Sequence, residues 1–292
     1  MQVQNCTGSQ TTCMKKMLSP LAVLLLTIIL FASCKKSNDE NETQPITPVD
    51  NNIVETHSPV LKAVSATPVG TAVSGFYQSL PWYYFATTKK YPLLIFIPGG
   101  GQLGNGTTDL PALLKDGVAQ LINERKFPPS FTVNGTAYSF IVLTPQLSKY
   151  PSNEEIKAFI DYARQQFRVD SSRIYLSGLS LGGSVSADVA AAYPKDIAAV
   201  VPISGESQSQ ESCQKIAVNH LPVWDFHNNN DPTVNISQSN NFITWINSYG
   251  PSPAPRQTIF QANVHDAWTK ALDPAYKEGN MNMYEWMLQY SK

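Results

Sequence analysis

Short apolar runs with no polar alternation recur along this chain, each followed by a stretch with helical spacing. That rhythm restricts the fold more than any other feature of the sequence. Leu93-Leu94-Ile95-Phe96-Ile97 is the clearest run, closed by Pro98-Gly99-Gly100-Gly101. An uninterrupted apolar run of this length reads as a strand buried on both faces, as in a parallel sheet. A helical stretch is expected near 109–125, then a strand at Phe140–Leu143. Residues 153–168 give the plainest helix, with Ile156, Phe159, Ile160, Ala163 and Phe167 on one face. Ser152 and the Glu154-Glu155 pair supply a cap and negative charge at its start. Further strands are expected at Arg173–Gly178, Ala199–Ile203, Val223–Phe226 and Thr258–Phe260, with helices near 181–193 and 236–248. Pro202 should weaken the ladder near the end of its strand. A helix holding Tyr284, Met287 and Leu288 closes the chain. Alternation of this kind predicts an α/β fold, a mainly parallel sheet with helices on both faces. Residues 61–90 are expected to add one or two antiparallel edge strands.

The first sixty residues do not share this rhythm. Lys15 and Lys16 precede an apolar stretch from Leu21 to Phe31, the layout of a secretory signal. The stretch is short for a membrane span. It ends in Phe31-Ala32-Ser33-Cys34, which resembles the lipobox of bacterial lipoproteins, in which the signal is cut before a cysteine that then carries lipid. Phe31 stands where an aliphatic residue is usual. The resemblance implies a signal over 1–33, with Met14 an alternative start. Cys34 becomes the lipidation site, and 34–60 a flexible tether, polar and without period. It also implies export, with the domain facing the periplasm or the cell exterior. Only Cys213 would then remain of the four cysteines, so no internal disulfide is expected. Cys213 is read as a small packing residue.

Chemistry enters with Gly178-Leu179-Ser180-Leu181-Gly182. Taken alone, this G-x-S-x-G motif is common. Here it lies between an expected strand and an expected helix, the context in which the serine caps a strained turn and projects above the sheet. A serine hydroxyl needs a base to take its proton. The chain has four histidines: His57, His220, His227 and His265. His57 falls in the tether. His220 suits a solvated or capping role, and His227, ending a strand, a core or loop-fixing role. His265 follows the last strand, at the carboxyl edge where sites in open α/β sheets form, and is the expected base. Its partner acid is expected to be Asp231, on the loop after the 223–226 strand, with Asp225 and Asp266 as rivals. Oxyanion donors are expected from the backbone of Leu181 and of Gly100, with Gly101 or Gln102 close behind. No cluster of Cys, His and carboxylates has metal-ligand spacing.

Three blocks together resemble the esterase and predicted-peptidase branch of α/β-hydrolases, which includes feruloyl and acetylxylan esterases. They are Tyr91–Gly101, Arg173–Gly183 and His265-Asp266-Ala267-Trp268. The likeness covers roughly 70–290, so 61–292 is expected to be one α/β-hydrolase catalytic domain. Pro98 stands where the family usually has histidine. His227 is followed by asparagines where the family favours glycine. The resemblance implies ester hydrolysis through an acyl-enzyme, without a cofactor, on an ester substrate that includes acylated glycans. Gln102 and Trp268 are expected to bind substrate. Trp268, Trp224 and Tyr84 are candidates for a sugar-stacking surface, although Trp224 suits the core better. The stretch from Gly205 to His220 leaves little room for a large lid. A monomer is expected, attached to membrane through Cys34. A prolyl-oligopeptidase-like peptidase and a glycan-binding lipoprotein with a residual triad remain open. With 21 Lys+Arg against 22 Asp+Glu, no basic footprint for nucleic acid is present.

Overall fold

A computed structural model describes residues 52–292. The expected signal, the proposed lipid site at Cys34 and most of the tether lie outside the described residues.

In chain order the strands and helices are β1 (Val60–Val64), β2 (Val73–Leu80), β3 (Tyr91–Ile97), α1 (Val118–Asn123), β4 (Phe131–Val133), β5 (Thr136–Tyr138), β6 (Ile141–Leu147), α2 (Asn153–Gln166), β7 (Val169–Leu179), α3 (Leu181–Ala192), β8 (Ala199–Ile203), α4 (Gln210–Val218), β9 (Trp224–Asn228), α5 (Ile236–Ser248), β10 (Arg256–Phe260), α6 (Trp268–Ala271) and α7 (Met283–Met287). Eight strands form one sheet in the order β1-β2-β6-β3-β7-β8-β9-β10, and β4 and β5 make a separate hairpin. From β6 to β10 neighbours run parallel, whereas β1 and β2 add an antiparallel edge. This is the α/β-hydrolase fold, and it matches the layering that the alternation of runs predicts.

The core explains why β3 carries no polar residue. Leu93, Ile95 and Ile97 join one apolar cluster with residues of α2, α3 and α5, while Leu94 and Phe96 join another with residues of α1 and α7. A strand covered on both faces gains from apolar side chains at every position. Helix α2 starts as its sequence suggests, with Ser152 Oγ accepting from the Glu155 N–H and Glu155 reaching back to the Ser152 N–H.

Several boundaries differ from the sequence expectation. The helix expected over 109–125 is broken into a 3₁₀ turn at Leu110–Leu114 and the short α1. Gly117 interrupts it at φ 95°, where its Cα lies so close to the Phe96 ring that a Cβ would come within 2.4 Å. Pro202 sits inside β8 opposite Gly178, and the strand continues to Ile203. The closing helix is only Met283–Met287, capped by Asn282. Residues 52–60, expected as the end of the tether, pack on the domain instead. Glu55 is buried and accepts the Tyr83 N–H at 3.0 Å, and Lys89 Nζ donates to the Ile53 carbonyl at 3.0 Å. A buried carboxylate with a backbone donor gives this polar segment an anchor that apolar periodicity does not register.

Candidate active site

The parallel strands bring three loops to one edge of the sheet. Ser180 stands between β7 and α3, at the N-cap of the helix. Asp231 follows β9. His265 follows β10.

Ser180 has φ 53° and ψ −119°, a backbone conformation rare for any residue with a side chain. Its neighbours make the turn possible. A Cβ on Gly178 would stand 2.3 Å from the Gly182 carbonyl oxygen, and one on Gly182 would stand 2.0 Å from the Ile97 oxygen. No real side chain fits at either distance. The Ser180 N–H donates to the Ile203 carbonyl at 2.8 Å, tying the turn to β8. As the first residues of α3, Leu181 and Gly182 carry N–H groups with no acceptor inside the helix.

His265 lies between the other two side chains. Its Nδ1 is 2.7 Å from Asp231 Oδ2, and its Nε2 is 2.9 Å from Ser180 Oγ. A carboxylate only accepts, so Nδ1 carries the proton and Nε2 accepts from the serine hydroxyl. The other carboxylate oxygen of Asp231 accepts the N–H groups of Thr233 at 2.8 Å and Val234 at 3.0 Å. Burial pushes the Asp231 pKa up, but the hydrogen bonds from His265, Val234 and Thr233 outweigh it, and the pKa is lowered. Asp231 thus stays an acceptor at neutral pH. The arrangement can move a proton from a hydroxyl to an imidazole whose tautomer and orientation are fixed by an anion.

The rival acids serve elsewhere. Asp225 is fully buried and accepts from Ser239 Oγ; burial raises its pKa, against the pull of Ser239 and His227. Asp266 lies just before α6 and accepts from Thr269 N and Oγ1 at 2.9 Å each. The other histidines are also accounted for. His57 stacks on Trp82, and His220 Nδ1 accepts from the Ser252 N–H at 3.4 Å. His227 is wholly buried beside the site. Its Nε2 donates to the Val234 carbonyl at 2.8 Å and lies 3.7 Å from Asp231 Oδ2. It therefore fixes the loop that carries the acid.

The expected substrate-binding role of Gln102 is overturned. Its side chain turns inward: Oε1 accepts the Gly99 N–H at 3.1 Å, and Nε2 donates to the carbonyls of Ala112 and Asp116 at 3.2 Å each. Gln102 is a brace for the glycine loop, which turns as a short 3₁₀ helix at Gly100–Gln102. Gly100 packs across from Leu181, since a Cβ placed on it would lie 3.8 Å from Leu181 Cδ1. That contact brings the Leu181 side chain beside the glycine loop. Trp268 is half-buried, with its ring edge-on to His265 at 5.1 Å and Nε1 donating to Asp116 Oδ1 at 3.1 Å. It also walls a groove of about 660 Å³ with Asp116, Leu121, Leu272 and Asp273. Trp224 and Tyr84 form no sugar-stacking surface. Trp224 is buried with Nε1 on Thr258 Oγ1, and Tyr84 is buried under the Arg168 guanidinium. Cys213 is buried as a packing residue, with its thiol pushed up to about 12 by burial. Among the described residues no group of His, Cys, Asp and Glu is placed to hold a metal ion.

Sequence reasoning missed α4 and the β4–β5 hairpin, although Ser209 as a cap and Asn134-Gly135 as a turn were both readable. It also missed Asp116, whose partner lies 152 positions away.

Comparison with known proteins finds similar hydrolases. The model of the phospholipase/carboxylesterase family matches residues 148–283, the stretch that holds all three side chains. A bifunctional acetylxylan esterase/xylanase from Neocallimastix patriciarum is 28% identical over 131 residues, which are 45% of this chain and 17% of that protein. The chain thus spans a small part of that relative. Among solved structures, a thermostable esterase superposes with a TM-score of 0.54 at 20% identity, covering 82% of this chain and 64% of the other. A ferulic acid esterase superposes with a TM-score of 0.54 at 15% identity, covering 74% and 95%. At these identities the structural likeness speaks for the fold.

Proposed function

We propose that this chain, an α/β-hydrolase of the esterase type, cleaves carboxylic esters through an acyl-enzyme on Ser180. The observation that carries the reading is the unbroken hydrogen-bonded chain from Asp231 through His265 to Ser180. In the reaction Ser180 Oγ attacks the ester carbonyl carbon and its proton passes to His265 Nε2. The carbonyl oxygen becomes an oxyanion, received by the N–H groups of Leu181 and Gly100. Collapse expels the alcohol, which takes the proton from His265, and leaves acyl-Ser180. Water then attacks the acyl carbon as His265 removes its proton. The carboxylic acid departs and Ser180 is restored. Asp231 remains ionised throughout and stabilises the imidazolium. No cofactor is required.

The substrate in this reading is an ester on a polysaccharide, acetyl or feruloyl. The nucleophile stands at an open edge, and the groove walled by Trp268 adjoins the base. Such an edge admits an acyl group carried on a bulky polymer. Export and a lipid on Cys34 complete the proposal, and they rest on the order of residues from Lys15 to Cys34.

A fluorophosphonate probe tests the chemistry. The wild type should be labelled and a folded Ser180→Ala variant should not. Turnover of Ser180→Ala and of His265→Ala should fall by roughly 10⁴-fold or more. A panel of acetyl esters, feruloyl esters and peptide amides then reads specificity. Faster cleavage of amides than of either ester would overturn the esterase assignment.

A further inference from the structure

The described surface exposes nine large apolar side chains, and three of them, Val60, Trp82 and Phe85, belong to one corner. Phe85 is 75% exposed, Val60 65% and Trp82 54%. Val60, Trp82 and Phe85 line a groove of about 240 Å³ together with Leu80 and Lys62, and no acidic residue lines it. Single exposed apolar residues are ordinary, whereas a cluster marks a surface with a partner.

Strand register places this corner. In the β2–β6 pair, Val73 lies opposite Leu147 and Ser79 opposite Val142. Leu80, and Trp82 after it, therefore stand at the edge where the parallel strands begin. Ser180, Asp231 and His265 all follow strand ends, at the other edge. The height of the sheet, about 20 Å for strands of this length, separates the two. The corner is thus no subsite of the catalytic cleft. It is the place where the chain enters the fold: Glu55 is hydrogen-bonded to Tyr83, and His57 stacks on Trp82 at 4.7 Å.

We propose that the Val60–Trp82–Phe85 corner docks onto the surface of a lipid bilayer, so that the catalytic edge faces away from the membrane. The inference rests on the proposed anchor at Cys34. Eighteen positions separate Cys34 from Asn52, and that length of chain reaches at most about 60 Å. A lipid on Cys34 would hold this corner, before any other, near the membrane. The chemistry matches an interface. Tryptophan and phenylalanine settle at the headgroup level, and the exposed Lys62 in the groove favours anionic lipid. A saccharide that stacks on Trp82 is the competing occupant.

The full chain is reconstituted with vesicles of phosphatidylcholine and phosphatidylglycerol whose acyl chains carry bromine, a quencher of indole fluorescence. Bromolipid should quench the wild-type emission, and Trp82→Phe should remove most of that quenching. A Trp82→Ser/Phe85→Ser variant should keep its turnover of a soluble short-chain ester. Equal quenching in wild type and Trp82→Phe overturns the proposal. So does Trp82 emission that responds to xylan fragments and not to bromolipid. Flotation with the vesicles reads the anchor and quenching reads the docking, so the two fail separately.

Discussion

Replacing Gln102 by alanine should damage both stability and turnover, and the size follows from three hydrogen bonds. The Gly99 N–H is buried and loses its acceptor. A buried donor left unpaired costs about 1–3 kcal/mol. The carbonyls of Ala112 and Asp116 are only part-buried, so water recovers some of what the amide nitrogen supplied. Each of those losses is about 0.5–1.5 kcal/mol. The total is about 2–6 kcal/mol of unfolding free energy, measured by urea denaturation with an unchanged m-value. Turnover should fall as well, since the proposed mechanism draws one oxyanion donor, the Gly100 N–H, from the loop that Gln102 braces. That loss should appear in kcat more than in KM, as expected for a contact made in the transition state. Gln102→Glu sharpens the test. It keeps an oxygen for the Gly99 N–H but turns a second oxygen toward two carbonyls, so it should be at least as harmful as alanine. A stability loss below about 1 kcal/mol for both variants would refute the idea that Gln102 is a brace.

Gly182→Ala should yield little soluble protein or an inactive one, because its Cβ would meet the Ile97 and Pro98 oxygens at 2.0 and 2.7 Å; a stable, active variant in an ester assay would count against the tight turn. His227→Ala should lower kcat, by up to about 100-fold if the Asp231 loop shifts by an ångström, with KM for a short ester little changed. Asp231 has a lowered pKa in the folded state, so its contribution is complete above the unfolded value of about 3.9 and is lost as pH falls through the folded one. Asp231→Asn should flatten that acid limb in urea titrations run below about pH 5. Cys213 should resist iodoacetamide in the native protein and react after denaturation, read by peptide mass spectrometry, since burial holds the thiol protonated.

The parts of the fold that were readable in the sequence share one property: their residues answer to local rules. The run at 93–97 is apolar because both faces of β3 are covered. Ser152 and Glu155 announce the start of α2, and two glycines announce the Ser180 turn. The role of Gln102 was hidden for the opposite reason. It is decided by partners brought near only by folding, the carbonyls of Ala112 and Asp116. A polar side chain beside an expected oxyanion loop looks like a substrate contact until its acceptors are located. The packing of residues 52–60 was hidden in the same way, since one buried carboxylate and one lysine hold it.

The strained turn at Ser180 and the loop at Gly99–Gln102 are not independent devices. A φ of 53° at serine costs about 1–3 kcal/mol, and the structure must supply restraint for it to persist. That restraint comes from two neighbouring strands. β8 holds the Ser180 N–H through the Ile203 carbonyl, and β3 presses against Gly182 through the Ile97 and Pro98 oxygens. Pro98 leads directly into the loop that Gln102 braces. The contact that restrains the Ser180 turn thus lies at the entrance to the loop that carries Gly100. Turn and loop share a backbone contact at Ile97 and Pro98, and the Gln102 side chain adds its brace on the loop side.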